Sequence, residues 1–506
     1  MKLRLLVTLV LLSTAVIVGQ TFRGTILGSV TDPSGAFVAG ATVKVRNVAT
    51  GLERTTVTSA DGSYNVPELP IGTYSVTVSL TGFQTAITNE VAVDVATERR
   101  VDAQLKTGQV TQTVEVSGGD LPQIETQSNE LGGVLTSKAV EDMPINGRDY
   151  TKLIFLNAGV AGSPDQITDS PGSYGEFSMN GARGRSNNYL LDGTDMNDGY
   201  RNDPAINQGG VFAVPSAILP IGAVDEMKVL SNFEPEYGRN AGAVVNIVTK
   251  SGSNALHGEL FEYFRNDGLD ARNYFNLADE HRAPFHNNQF GGALGGPIVK
   301  DKTFFFMDYE GQRETVGTVT LACVPEGSGP GGALSPSDAS NPVIAALIAQ
   351  HNPWPAPNIP GVQSTDLGCP DGPNASLITP SLNNLSSVIA KIDHNFNVNN
   401  NLTGRYFFGD STQSFPLALT ASGSQLPGFN TITPTRVQLV AISYVHTIGT
   451  NKVNEVRYGW NRFAEGFFPQ DQSFHPSSVG LCAASSMADC AGGASTTPAC
   501  PSCWFP

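Results

Sequence analysis

Histidines, cysteines and acidic runs are the residues that could carry chemistry here, and their spacing builds no catalytic constellation. The seven histidines, His257, His281, His286, His351, His394, His446 and His475, are scattered through the second half of the chain. His281 and His286 beside Glu280 offer a metal reading, but polar loop residues account for them better. The run Asp192-Gly193-Thr194-Asp195-Met196-Asn197-Asp198-Gly199 is acidic enough for calcium. Its sixth position is Asn197, where an EF-hand loop needs glycine for its sharp turn. An Asp-Gly turn closing a strand explains it better. Asn146-Gly147-Arg148-Asp149 and Gly181-Ala182-Arg183-Gly184-Arg185 combine glycine with arginine. Neither follows a strand and opens a helix, as a phosphate-cradling loop must. The expectation is no metal, no cofactor and no enzyme.

The six cysteines, Cys323, Cys369, Cys482, Cys490, Cys500 and Cys503, lie in stretches rich in Pro, Gly and Ser. Cys500-Pro-Ser-Cys503 has the spacing of a redox or zinc pair, but one such pair says little. In an exported chain, loop cysteines are read first as disulfides, and that is the expectation for all six. Export itself is written at the start. Met1-Lys2-Leu3-Arg4 precedes an apolar run from Leu5 to Val18, about 14 residues, short of the roughly 20 that a membrane-spanning helix needs. Cleavage is expected near Gly19 or Gln20. No later window is apolar enough for a spanning helix, so any further membrane contact must be a β-barrel.

At 506 residues the chain is long enough for about three domains. Only 15% of residues are charged, and 54 are glycine. Abundant Gly, Asn, Ser, Thr and Val point to strands and turns. A net charge of -16 with no basic cluster excludes nucleic acid as a partner. Short strands are expected at Gly24–Thr31, Ala41–Asn47, Arg54–Thr58, Tyr64–Val66, Gly72–Leu80 and Val91–Val95. Turns such as Asp32-Pro33-Ser34-Gly35 and Ala60-Asp61-Gly62 separate them. That rhythm predicts a small β-sandwich. This stretch holds no His and no Cys. An extended segment follows, Gln112-Thr113-Val114-Glu115-Val116. It is either a linker strand or a peptide that adds to a partner's sheet.

The chain changes character between Ala223 and Phe264. Before it, Gly132–Val140 can start a helix, and Tyr189–Leu191, Ala223–Leu230 and Ala243–Thr249 read as strands. After it, strands lengthen to about 9–13 residues, as a tilted membrane-crossing strand requires. Seven are expected: Leu256–Phe264, Asn288–Ile298, Thr303–Arg313, Ser386–Phe396, Asn401–Gly409, Thr435–Thr447 and Val453–Phe463. Leu402, Gly404, Tyr406 and Phe408 lie on one face, and Thr403, Arg405 and Phe407 on the other. Tight connections alternate with long ones, at Glu314 to Leu385 and Asp410 to Pro434, which is the pattern of an outer-membrane barrel.

Several phrases carry a family resemblance. GSVTDPSGAFVAGATVKV and ADGSYNVPELPIGTYSVTVSLTGF resemble a carboxypeptidase regulatory-like domain, which implies a transthyretin-like sandwich without peptidase activity. MPINGRDYTKL, FSMNGARGRSNNYLLDGTDMND, EPEYGRNAGAVVNIVTKSGSN, HGELFEYFRNDGLDARNYF and NQFGGALGGPIVKDKTFFFMDYEGQRE follow in order. They resemble TonB-dependent outer-membrane receptors of the Oar-like group. The resemblance implies a mainly β chain: a signal peptide at 1–20, a sandwich at 21–107, a linker at 108–122, an α/β plug at 123–250 and part of a transmembrane antiparallel barrel at 251–506. Gln112 to Val116 becomes a TonB-box candidate. Arg148, Arg183, Arg185, Asn187, Asn188, Arg239 and Asn240 become plug contacts with the barrel wall, with Arg148–Asp149 and Arg239–Glu236 as candidate pairs. Family barrels close with roughly twenty-two strands; seven would leave edges open in lipid, so the chain is expected to be the N-terminal part of a longer protein.

The expected function is ligand uptake through a plugged barrel in a Gram-negative-type outer membrane, with the N-terminal domains in the periplasm. The partners are then a TonB-type energy-transducing complex, outer-membrane lipid and an extracellular ligand: siderophore, cobalamin, glycan or peptide. The alternative is a carbohydrate- or partner-binding cell-surface protein without transport, favoured if Tyr64, Tyr74 and Phe83 form an exposed aromatic platform.

Overall fold

A computed structural model describes residues 22–108, 113–117, 130–162, 177–199, 202–206, 217–233, 235–238, 241–271, 284–324, 355–359, 372–415, 428, 430–449 and 452–470. The first unit alternates buried and exposed side chains along its strands, the period-two signature of a sheet with one packed face. Its strands are β1 (Gly24–Thr31), β2 (Thr42–Asn47), β3 (Glu53–Val57), β4 (Ser63–Leu69), β5 (Gly72–Ser79), β6 (Thr85–Val93), β7 (Glu98–Arg100), β8 (Ala103–Gln104) and β9 (Thr113–Ser117). They form two sheets, β4-β1-β7 with β8 also on β1, and β3-β2-β5-β6-β9. Ile26, Val43, Val45, Val76 and Val93 fill the core between them. Tyr64 and Tyr74 are core residues, not a platform. Their hydroxyls donate to the Val101 and Pro70 carbonyls, both at 2.6 Å, and Phe83 packs against the same cluster.

The second unit contains β10 (Leu131–Thr136), α1 (Ser137–Asp142), β11 (Val160–Gly162), β12 (Phe177–Met179), β13 (Asn188–Leu191), β14 (Thr194–Asp195), β15 (Val224–Asn232) and β16 (Val244–Thr249). Five of these strands make one sheet, β10-β15-β16-β13-β14. All six residues of β16 are buried, which is why its sequence reads as a nearly continuous apolar run. The helix expected from Gly132 begins only at Ser137. Gly132 and Gly133 are poor helix formers, and a Cβ on Gly132 would sit 2.1 Å from the Val229 carbonyl oxygen. Close strand pairing with β15 therefore takes this stretch instead.

The third unit is a sheet of β17 (His257–Asn266), β18 (Phe285–Val299), β19 (Thr303–Ala322), β20 (Ala375–Asn397), β21 (Asn400–Phe415), β22 (Thr431–Ile448) and β23 (Lys452–Glu465). A short β24 (Phe468–Pro469) adds to β22. Consecutive strands pair antiparallel, forming an open, partial barrel. Among the described residues, strands stand at the seven places where strands were expected, but several are longer. The register explains this. Outward rows Phe305–Ile392–Gly404–Ile442–Tyr458 and Met307–Ala390–Tyr406–Val440–Trp460 run unbroken across five strands. They form an apolar belt ending near the exposed Asp410–Arg436 ion pair (2.8 Å). Beyond that pair, β19 and β20 remain paired up to Ala322↔Ala375, extending the hairpin by about 35 Å at the usual rise per residue. The expected lengths thus describe the lipid-crossing part alone.

The faces are inverted relative to a soluble sheet. Ile392, Met307, Ile442 and Tyr458 are exposed on the outside, while Asp308, Glu310, Gln312, Lys391 and Arg405 are buried on the inside. Among the described residues, no helix is long and apolar enough to cross a membrane. Short connections at residues 300–302, 398–399 and 449–451 share one end of the sheet; the long ones, 267–284, 323–374 and 416–430, share the other. Ile442→Arg, placing a cation in the middle of the belt, is expected to cost about 2–4 kcal/mol. Denaturant titration of the protein folded into lipid vesicles measures it, and no loss relative to the native sequence would contradict a lipid-facing belt.

Candidate functional site

The second unit packs against the inward face of the barrel strands through two polar contacts and a shared core. The first contact begins with a turn. Leu191-Asp192-Gly193-Thr194 joins β13 to β14 through a two-residue loop, which needs left-handed residues. Asp192 (φ 47°) and Gly193 (φ 68°) supply them. The Asp192 carboxylate accepts hydrogen bonds from the Thr249 N–H (2.9 Å) and Thr249 Oγ1 (2.8 Å) on β16. It also accepts one from Arg405 Nη1 on β21 at 3.1 Å. Lys391 Nζ on β20 lies 3.7 Å from the carboxylate and donates to the Thr249 carbonyl at 2.8 Å. Arg405 Nη2 donates to Thr194 Oγ1 at 3.1 Å. From β23, Arg457 donates to the Gly193 carbonyl at 2.7 Å, and Asn461 to that of Asn197 at 3.0 Å.

The side chains of Asp192, Lys391 and Arg405 are only 1–4% exposed. Burial alone would raise the Asp192 pKa. Lys391, Arg405 and the two Thr249 bonds outweigh it and hold the carboxyl below its ordinary value. The carboxylate is therefore ionised, and the contact is a buried ion cluster joining two units of the chain.

The second contact involves Arg148, which follows Gly147 in a tight 3-10 turn. Its Nε reaches Glu310 Oε1 on β19 at 3.2 Å. Its guanidinium lies over the rings of Phe261 and Tyr263 on β17, at 4.2 and 5.2 Å. Gln289 on β18 donates to the same Glu310 oxygen at 2.7 Å. Nearby, Gly222 runs so close to the wall that a Cβ would meet Glu259 Oε1 at 2.7 Å and Asp308 Oδ2 at 2.8 Å. The shared core joins Tyr150, Ile154 and Ile247 of the second unit to Phe306, Phe407 and Leu439 of the barrel strands.

Of the residues singled out as wall contacts, Arg148 reaches the wall. Its partner is Glu310, while Asp149 accepts from the Thr151 N–H and caps the following turn. The hydrogen bonds seen for Asn187 and Asn188 are internal. Asn187 donates to the Phe177 and Gly184 carbonyls and accepts from the Ala243 N–H, and Asn188 donates to the Tyr237 carbonyl. Both are buried, so they tie irregular backbone together within their own unit. Arg183 is exposed and Arg185 half-buried. Arg239, Asn240, Gln112, Cys369, Cys482, Cys490, Cys500 and Cys503 lie outside the described residues, as does the side chain of Glu236. Cys323 is disulfide-bonded. Thr113 to Val116 fall in β9. Sequence reasoning missed Glu310, Lys391 and Asp192 as contact residues. A signal existed in charged side chains at the inward phase of alternating strands.

The sandwich covers the short-turn end. Val95, just past β6, donates its N–H to Glu226 Oε2 on β15 at 2.6 Å. Lys228 donates to the Ala96 carbonyl and to Glu130, both at 2.8 Å. Arg54 donates to Asn401 at the start of β21. The Asn254 N–H donates to the Ala49 carbonyl at 3.1 Å, and Phe22 lies 5.0 Å from the Arg457 guanidinium. A cavity of about 220 Å³ at this seam is lined by Arg23, Asn47, Asp225, Lys391 and Asp393 among others. Burial and the nearby Asp94 carboxylate push Glu226 up to about 8.

A family model described as an outer membrane beta barrel domain matches residues 248–500, half of the chain. The chain belongs to the outer-membrane β-barrel family. A second model, a carboxypeptidase regulatory-like domain, matches residues 25–106. The TonB-dependent transporter Oar of Myxococcus xanthus is a homologue, 29% identical over 298 residues, covering 56% of this chain and 26% of Oar. The chain thus spans about a quarter of the length of that relative. Among solved structures it is similar to the outer membrane transporter YddB of Escherichia coli, at 14% identity and TM-score 0.43, covering 66% of this chain and 39% of that one. It is also similar to the ferric enterobactin receptor of Pseudomonas aeruginosa, at 15% identity and TM-score 0.40, covering 66% and 41%. The barrel domain places the protein in a Gram-negative-type outer membrane.

Two outcomes follow from the contacts. Arg405→Met leaves Asp192 charged and buried with one partner fewer, which is expected to cost about 3–5 kcal/mol. Faster hydrogen exchange in residues 188–197 reports it, and the double variant with Asp192→Asn recovers part of the loss. Glu226, raised from 4.5 to about 8 when docked, keeps a proton that the undocked form releases. The sandwich contact is therefore fullest at low pH and weakens as pH rises from about 4.5 through about 8. Exchange at the Val95 amide, corrected for its intrinsic pH dependence, should quicken over that window, and Glu226→Gln should flatten the profile.

Proposed function

We propose that this chain serves an energised outer-membrane receptor that takes up a ligand through a plugged barrel. The second unit is the plug. The observation that carries the reading is the buried cluster of Asp192, Arg405, Lys391 and Thr249, which joins that unit to the inward wall of a lipid-facing sheet. A soluble domain resting on a membrane sheet has no need of paired charges buried at the contact. A gate that must stay shut, yet move as a body, does: polar contacts hold it in register and can be exchanged for water when the plug shifts. The relative Oar, named a TonB-dependent transporter, supports the same role and the same energy source, a TonB-type complex engaging residues 112–116. The work is gating without covalent chemistry. The ligand class stays with the group of siderophore, cobalamin, glycan or peptide. Tyr64, Tyr74 and Phe83 do not form the exposed aromatic platform that would favour the cell-surface binding alternative, since Tyr64 and Tyr74 are core residues and Phe83 packs half-buried against the same cluster.

The test is electrical. The receptor purified from the outer membranes of its host and placed in a planar bilayer should conduct almost nothing at rest. Urea at a concentration that frees the plug but spares the barrel should open large, reversible conductances. A channel already open at rest, or one that never opens, would sink the proposal.

A further inference from the structure

The segment read as the energy-coupling peptide already has a partner in this fold. Thr113–Ser117 forms β9, parallel to β6, with register from Thr85↔Thr113 to Asn89↔Ser117. It is the last strand of β3-β2-β5-β6-β9. The approach to it is laced to the same edge. The Gln84 N–H donates to the Lys106 carbonyl at 2.8 Å, the Gly108 N–H donates to that of Gly82 at 3.2 Å, and Phe83 bridges Thr107.

A peptide recognised by strand addition is read through its backbone edges and the side chains beside them. In β9 one edge is already spent on β6. An incoming partner would meet only the other edge of this strand instead of a free peptide. The cis pairing is also of a releasable kind. It is five residues long, lies at a sheet border and is parallel, the slightly less stable pairing. Short border strands with few contacts open first when a protein fluctuates.

We propose that the N-terminal sandwich holds the coupling segment in reserve, so that β6 and the energy-transducing partner compete for the same strand. This rests on reading residues 112–116 as the coupling segment. The sandwich then acts as a brake on engagement, and any change that loosens β9 raises the fraction of receptors ready to be pulled.

A reversible lock tests it. Asn89 and Ser117 are register partners outside the 112–116 segment, and paired residues on neighbouring strands are within disulfide reach. In the full receptor carrying Asn89→Cys and Ser117→Cys, oxidation should lower affinity for the purified periplasmic domain of the host's TonB protein at least ten-fold. Reduction should restore it, with the unaltered receptor taken through the same steps as reference. Equal binding by both forms would overturn the proposal. Deleting residues 112–116 separates the two ideas. If binding survives the deletion, the coupling-segment reading fails and the proposal with it. If deletion abolishes binding while the lock does nothing, only the competition fails. A measurement on the unaltered receptor needs no substitution: the β9 amides that point toward β6, every second one along the strand, should exchange well below the free-peptide rate, and exchange of these at that rate would also overturn the proposal.

Discussion

A carboxylate taken out of water is stable only among partners that replace its hydration. Asp192 meets that requirement by borrowing from elsewhere in the chain: Thr249 within its own sheet, Arg405 and Lys391 from two barrel strands. The position of the plug and the register of the wall therefore depend on each other. Sliding β21 by one residue would turn Arg405 from the lumen to the lipid and leave Asp192 without its guanidinium donor. The same dependence recurs where Glu310 on β19 receives Arg148 and Gln289.

The three units are ordered along one axis. The apolar belt occupies the middle of the barrel sheet, the long connections leave one end, and the sandwich sits against the short-turn end through Arg54, Ala49 and Val95. The plug lies between the wall and the sandwich and is bonded to both. Its strand β15 shows the division of labour: Met227 and Val229 go to the core, while Glu226 and Lys228 face the sandwich. The seam combines these polar contacts with a small apolar cluster of Phe22, Val95 and Val248, and it contains a cavity.

Much of this was legible because alternation of period two survives in the sequence wherever one face meets an apolar medium. The sandwich strands and both faces of β21 follow from it, and the Asp192-Gly193 turn follows from backbone sterics. Alternation loses contrast where the buried face is itself partly polar. The upper part of β20 buries Thr379 and Asn383 beside Ala375 and Leu377, so it reads as loop although it is paired strand with β19. The strand role of Gly132 was not legible, because the Val229 carbonyl that leaves no room for a Cβ there lies nearly a hundred residues on. Site residues were legible singly and not as pairs. Arg148 stood out, but its neighbour Asp149 took the place of Glu310, 162 residues away. Local spacing carries no record of such meetings.

The shared core sets an order in time. Ile247 and Tyr150 of the plug find their packing surface on Phe306, Phe407 and Leu439, which exist as a surface only once β19, β21 and β22 are side by side. The sandwich has a core of its own and needs nothing from the membrane to complete it. Maturation thus runs against the direction of synthesis in its second half. The first domain to emerge can fold at once, while the unit that follows finds its packing surface only on strands made after it.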